Sequence, residues 1–279
     1  MNVKIISSIL IFVIVGTIVG CGIKNKIEHY GEAIITKEQR EAPENIYTDS
    51  GVVKTSEYKG MTKKVEVYGL TLYASDNISD EFMIKISKIF KEMFPKLEGE
   101  DLKKQEEVLK NLYKYKACLP VVKENEIANI NTKLINDYSV CDIIMKVDRG
   151  QVMEVVEHLL HAVTDVGLSY SFPNEWGFEN NSKIKNSMQN AIENKYYDTS
   201  NYTMENEEVR NRILIQEYAY WLISSKWNLQ ETYGPNEKEW TLNNSEKVIK
   251  NLPEADKLMV ETTGKIMISP KEETLITLN

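Results

Sequence analysis

Histidine is scarce in this chain, with three residues in 279. Two of them, His158 and His161, stand three positions apart, and the third is His29. Cysteine is as sparse, at Cys21, Cys118 and Cys141. Neither internal cysteine has a histidine close by in sequence, which argues against a cysteine nucleophile. Positive charge is in deficit: 34 Lys and Arg face 42 Asp and Glu, for a net charge of −8. No Lys/Arg cluster forms a basic face, so nucleic acid and anionic membrane surfaces are excluded as electrostatic partners. Apolar runs are short of the ~20 residues that a spanning helix needs, and no internal repeat is visible. What remains, 42% hydrophobic and 27% charged, is ordinary for a globular body with a sizeable core.

The longest apolar run, from Ile5 to Val19, has the length of a signal-peptide core and ends in Ile18-Val-Gly-Cys21-Gly22. This pattern resembles the bacterial lipobox, which implies cleavage after residue 20 and lipidation (palmitate among the acyl chains) of Cys21. The expected address is the cell envelope, outside the cytoplasmic membrane and held to it by lipid. Gly22 points to the outer membrane in a cell that has one. Removing Cys21 from the count leaves Cys118 and Cys141, an even pair in an oxidising compartment, and so a candidate disulfide.

Residues 21–62 read as a polar tether with little apolar periodicity, and His29 in it reads as a surface residue. The folded domain is expected at 63–279. Val65 to Tyr73 alternates as a strand. Asp76 to Ser79 offers caps for a helix that Pro95 stops. A second helix is expected near Asp101 to Leu112, a short strand at Ala117 to Val122, and another strand at Tyr138 to Val147, broken by Asp148-Arg-Gly150. Further helices are expected near 182–194 and 207–229. Strand, helix, strand, then helices is α+β order, helix-rich with a small sheet.

The chemistry concentrates in Glu154-Val-Val-Glu157-His158-Leu-Leu-His161-Ala-Val-Thr-Asp165-Val-Gly167. As a helix, it places Glu154, His158, His161 and Asp165 in one stripe, with Glu157 at its border and aliphatic residues behind. Gly167 reads as the C-cap. A packed back and an ionisable front suit a metal-site helix and equally suit a surface helix. In the zinc-protease signature H-E-x-x-H, two histidines one turn apart hold the metal and the glutamate activates water. Here the first two letters are exchanged. Glu157 and His161 could be ligands with His158 in the base position. Glu154, Glu157 and His158 could imitate the inverted signature H-x-x-E-H. His158 and His161 could share a metal, with Glu157 as base and Glu217 as third ligand.

Three segments carry a resemblance: Val156-Glu-His-Leu-Leu-His161 with Thr164-Asp-Val-Gly167, then Glu217-Tyr-Ala-Tyr-Trp221, then Glu239-Trp-Thr-Leu242. In order and spacing they resemble a little-characterised family of secreted and lipoprotein-type proteins, similar to zincin metallopeptidases. The resemblance spans about residues 142–260. It implies a zincin-like fold and a metal held by this helix and Glu217. Taken with the residues themselves, the expected centre is a zinc ion held by His158, His161 and Glu217, with Glu157 as catalytic base or alternate ligand and Tyr218 or Tyr220 as oxyanion donors. The expected activity is metal-dependent hydrolysis of a peptide or protein substrate. Where that family has its glutamate base, this chain has His158. The competing expectation is a non-catalytic binding or structural envelope lipoprotein that keeps the fold without the metal.

Overall fold

The computed structural model describes residues 39–235 and 238–279; the signal segment, Cys21 and His29 lie outside them. Ordered structure begins ahead of the expected boundary, because Ile46 is already buried in the core. The first strand, β1 (Val53–Tyr58), pairs antiparallel with β2 (Met61–Val67). The single strand expected at 65–73 is a hairpin, β2 followed by β3 (Leu70–Ala74). Tyr68 and Gly69, at φ of 47° and 87°, make the two-residue turn between them. Positive φ at both central positions matches the right-handed twist of the flanking strands.

Helix α1 (Asp80–Met93) starts where the Ser79 side chain accepts the Phe82 N–H, and α2 (Gly99–Lys114) follows it. Strand β4 (Ala117–Lys123) then lies parallel to β3. After the short helix α3 (Thr132–Asp137), the chain forms β5 (Ser139–Val140) and β6 (Ile144–Lys146), both parallel to β4. The fold is thus α+β, with a small mixed sheet in the order β1-β2-β3-β4-β5 and β6 also on β4.

The strand expected across Tyr138 to Val147 is therefore split. Cys118 pairs with Val140 and Val121 with Ile144, so the stretch from Val140 to Ile144 carries one residue more than the Cys118–Val121 segment of β4 that it faces. The ladder lapses opposite Leu119 and Pro120, and Pro120 has no N–H to donate. Cys141, Asp142 and Ile143 are released from the sheet as a result.

Helix α4 (Gln151–Ala162) continues without a break through π-type turns over Val163–Leu168 to Ser171. Gly167 is therefore not a C-cap. A side chain there would meet Val108 Cγ1 at 2.8 Å, so the glycine permits close approach to α2. Helices α5 (Lys183–Glu193) and α6 (Glu207–Lys226) follow, and shorter helices complete the chain. Every residue of α4 is buried, which removes the surface-helix reading. Its aliphatic side chains contribute ~1.5–3 kcal/mol each when fully buried.

The sheet separates two apolar clusters. The larger contains α1, α2, α4 and α6, and the smaller gathers Tyr58, Tyr73, Tyr138 and Cys118 beneath α3. Cys118 belongs to the smaller cluster and Cys141 to the larger. Both are free thiols. The expected disulfide does not form: Val140 is the register partner of Cys118, and its successor Cys141 points to the opposite face.

Candidate metal centre

Three connections fix α4 against the split strand. The Gln151 side chain accepts the Val147 N–H at 2.9 Å and donates to the Met145 carbonyl at 2.8 Å. Glu154 Oε1 accepts the Met145 N–H at 2.8 Å. From the other side, Gln216 Nε2 on α6 donates to the Cys141 carbonyl at 3.4 Å. The released segment is held between the two helices that carry the ionisable groups.

Asp142 is the consequence of the split. Its Oδ1 accepts the Ile143 N–H at 2.8 Å, and its Oδ2 lies 2.8 Å from His161 Nδ1. Burial would raise the Asp142 pKa, but His158 and His161 outweigh it and hold the carboxyl below its usual range. An ionised carboxylate only accepts, so Nδ1–H of His161 donates to it. The lone pair of His161 is then on Nε2. Burial keeps this imidazole neutral, pushing its pKa down against the opposing charge of Asp142.

His161 Nε2 faces Glu217 Oε2 at 3.8 Å. Both atoms are buried and neither has a hydrogen-bond partner. His161 is 0% exposed and Glu217 4%. Orphaned buried polar groups cost ~1–3 kcal/mol each, so two that face each other call for a shared partner. Glu157 completes the set, with donor atoms of Glu157, His161 and Glu217 all within 4.8 Å of one another. Burial pushes Glu157 up to about 8, with Glu154, Asp142 and Glu239 adding to the rise and His158 opposing it. Glu217 is raised well above the carboxylate range, by burial first and by Glu157 and Glu239 next. Carboxyls so placed hold protons when no cation is near, and release them to one.

His158 is placed differently from its neighbours in sequence. Its Nε2 lies 3.4 Å from Asp142 Oδ2 and its Nδ1 3.2 Å from Glu154 Oε1. Burial disfavours its charged form, but Asp142, Glu154 and Glu157 outweigh this and raise its pKa well above 6.5. A second donor set, Asp142, His158 and His161, also falls within 4.8 Å. Among the described residues, no donor set joins His158 to Glu217.

The two tyrosines part company. Tyr220 has its ring 6.0 Å from His161 and interacts with Glu157. The Tyr218 hydroxyl is 2.5 Å from Ser187 Oγ, and its ring packs on Trp240, away from the donors. Glu239 accepts from the Tyr202 hydroxyl at 2.6 Å and from Trp221 Nε1 at 3.2 Å. This places the third resembling segment behind the second. Asp142 escaped the sequence reading, although one signal marks it: an acid inside an otherwise apolar strand-like run.

Comparison with protein-family models, curated proteins and solved structures found no match to this chain. The reading of the site therefore rests on its own chemistry. Buried acidic and imidazole groups converge that could hold a metal ion.

Proposed function

We propose that this chain is an envelope lipoprotein whose zincin-like domain holds one zinc ion for hydrolysis of a peptide-type substrate. The observation that carries the metal reading is the pair of buried, unpartnered atoms His161 Nε2 and Glu217 Oε2. The donors fit zinc, which takes neutral imidazole and carboxylate together. Glu157, His161 and Glu217 would hold the ion. Asp142 orients His161, as an acceptor on the far nitrogen of a liganding imidazole does. A cation held there would supply the Lewis acidity of hydrolytic chemistry.

Three protein donors leave a coordination position free, which is the habit of catalytic zinc sites; structural sites use four. Tyr220, beside Glu157 and His161, is the hydroxyl placed to donate to a developing oxyanion. The enclosure of all three donors, with Glu157 only 5% exposed, favours a second reading: a non-catalytic lipoprotein in which the centre serves the fold. The anchor reading rests on Ile18-Val-Gly-Cys21.

The test is metal content of the purified protein before and after chelation and zinc addition. The wild type should take up one zinc per chain, and His161→Ala and Glu217→Gln should take up none. A wild type that binds no zinc, or variants that bind as well as it does, would sink the metal reading. Zinc uptake without cleavage of a broad peptide library would select the non-catalytic reading. For the anchor, a Cys21→Ala variant that still incorporates labelled lipid would contradict it.

A further inference from the structure

We infer that His158 is a positioning residue of this centre rather than a ligand: it holds Asp142 and Glu154, and through Asp142 it fixes which nitrogen of His161 faces Glu217. The inference deepens the proposed metal site and rests on that reading for its affinity arm only.

His158 Nε2 lies 3.4 Å from Asp142 Oδ2 and Nδ1 3.2 Å from Glu154 Oε1, although Nδ1 makes no well-aligned hydrogen bond there. Among the described residues, no donor set joins His158 to Glu217. The ring planes of the two histidines stand at 76° with centroids 5.7 Å apart, so one imidazole does not substitute for the other. Asp142 Oδ2 is the shared atom, 2.8 Å from His161 Nδ1 and 3.4 Å from His158 Nε2. Asp142 Oδ1 is already tied to the Ile143 N–H. With one oxygen anchored to the backbone and the other between two imidazoles, the carboxylate has little freedom to rotate. That fixity keeps the proton of His161 on Nδ1 and its lone pair on Nε2.

Glu154 is the other half of the arrangement. It joins His158 to the Met145 N–H of β6, so the imidazole is braced against the sheet as well as against the released segment. A carboxylate at position 158 would stand against Asp142 and Glu154 with like charge.

Two measurements test this, with His158→Gln as the principal variant because Gln keeps a polar side chain in the buried site while losing the imidazole placed between Asp142 and Glu154. In metal-free protein, nitrogen NMR of the imidazoles should find His161 protonated on Nδ1 in the wild type. The population of that tautomer should fall in His158→Gln. Proton placement on Nε2 in the wild type, or a tautomer indifferent to the substitution, would overturn the inference. With zinc added, both proteins should bind one ion through one imidazole, as read by X-ray absorption. The affinity of the variant should fall roughly 10- to 100-fold, the usual cost of losing an outer support. Two imidazoles on the wild-type ion, dropping to one in the variant, would make His158 a ligand and defeat the inference. If neither protein binds zinc, the metal reading fails and the tautomer measurement alone decides the role of His158. His158→Ala, which removes one partner from each of two buried carboxylates, should be less stable than His158→Gln. Equal unfolding midpoints for the two would count against the positioning role.

Discussion

Asp165 shows how little sequence spacing says about a single carboxyl. The helical stripe groups it with Glu154, His158 and His161, yet the π-type turns after Ala162 shift the phase of the helix. Its near neighbours become Thr164 and the more distant charge of Arg212. One of its oxygens is buried with no partner. Burial pushes its pKa up to about 8, with Arg212 only partly offsetting it. Between the ordinary carboxylate value and about 8, the folded chain holds a proton that the unfolded chain releases. Stability at this residue therefore falls as pH rises through that window, by at most about 1.4 kcal/mol per pH unit. Asp165→Asn removes the ionisation and should flatten that part of the profile. Urea unfolding of both proteins at several pH values between about 5 and about 8 checks it. Parallel profiles for variant and wild type would mean that the carboxyl is solvated.

At the scale of elements, Gly167 and the split strand do most to set the site. A methyl group at Gly167 would lie 2.8 Å from Val108 Cγ1 and 3.4 Å from the Val108 carbonyl oxygen. Gly167→Ala should therefore push α4 and α2 apart and cost ~1–3 kcal/mol by overpacking. Chemical denaturation would measure it, and combining it with Val108→Ala should recover part of the loss if the clash is the cause. The helices around 80–93, 99–114, 183–193 and 207–226 were legible because their apolar spacing is local. Ser79 accepts the N–H expected of a cap, Ser182 and Asn206 cap the later helices in the same way, and the 99–114 helix does without a side-chain cap. The α+β order was legible for the same reason. The hairpin turn at Tyr68-Gly69 was hidden, because alternation runs straight across it. The break at Cys141 to Ile143 was hidden as well, since a ladder lapse depends on the partner strand, with Pro120 on it, and not on the segment itself. Asp142 was lost along with the break. His161 and Glu217 are 56 positions apart in sequence, yet the need for a third ligand paired them, and their Nε2 and Oε2 atoms lie 3.8 Å apart. Local spacing offered His158 as an equivalent ligand, and only the tertiary positions of Asp142 and Glu154 distinguish it.

Across the whole molecule, the sheet works as a partition. Cys118 lies under α3 with the tyrosine cluster and Cys141 lies with the helices, so each thiol is sealed in a different core. Burial raises both thiol pKa values, that of Cys141 also through Asp165 and Asp142. Neither thiol is poised for exchange or oxidation. Reductant should leave the unfolding midpoint unchanged, and a shift of more than a few degrees on adding it, read by calorimetry, would reveal a bond that this fold does not make. Burial of every donor at the Glu157, His161 and Glu217 centre has a kinetic consequence too. With the three donors 0–5% exposed, an ion held there would enter and leave only as the protein opens locally. Affinity would set only how fully the site is occupied at a given ion concentration. Zinc exchange should then keep pace with the slow hydrogen exchange of the amides of α4, making the residence time of the ion a clock for the breathing of the fold.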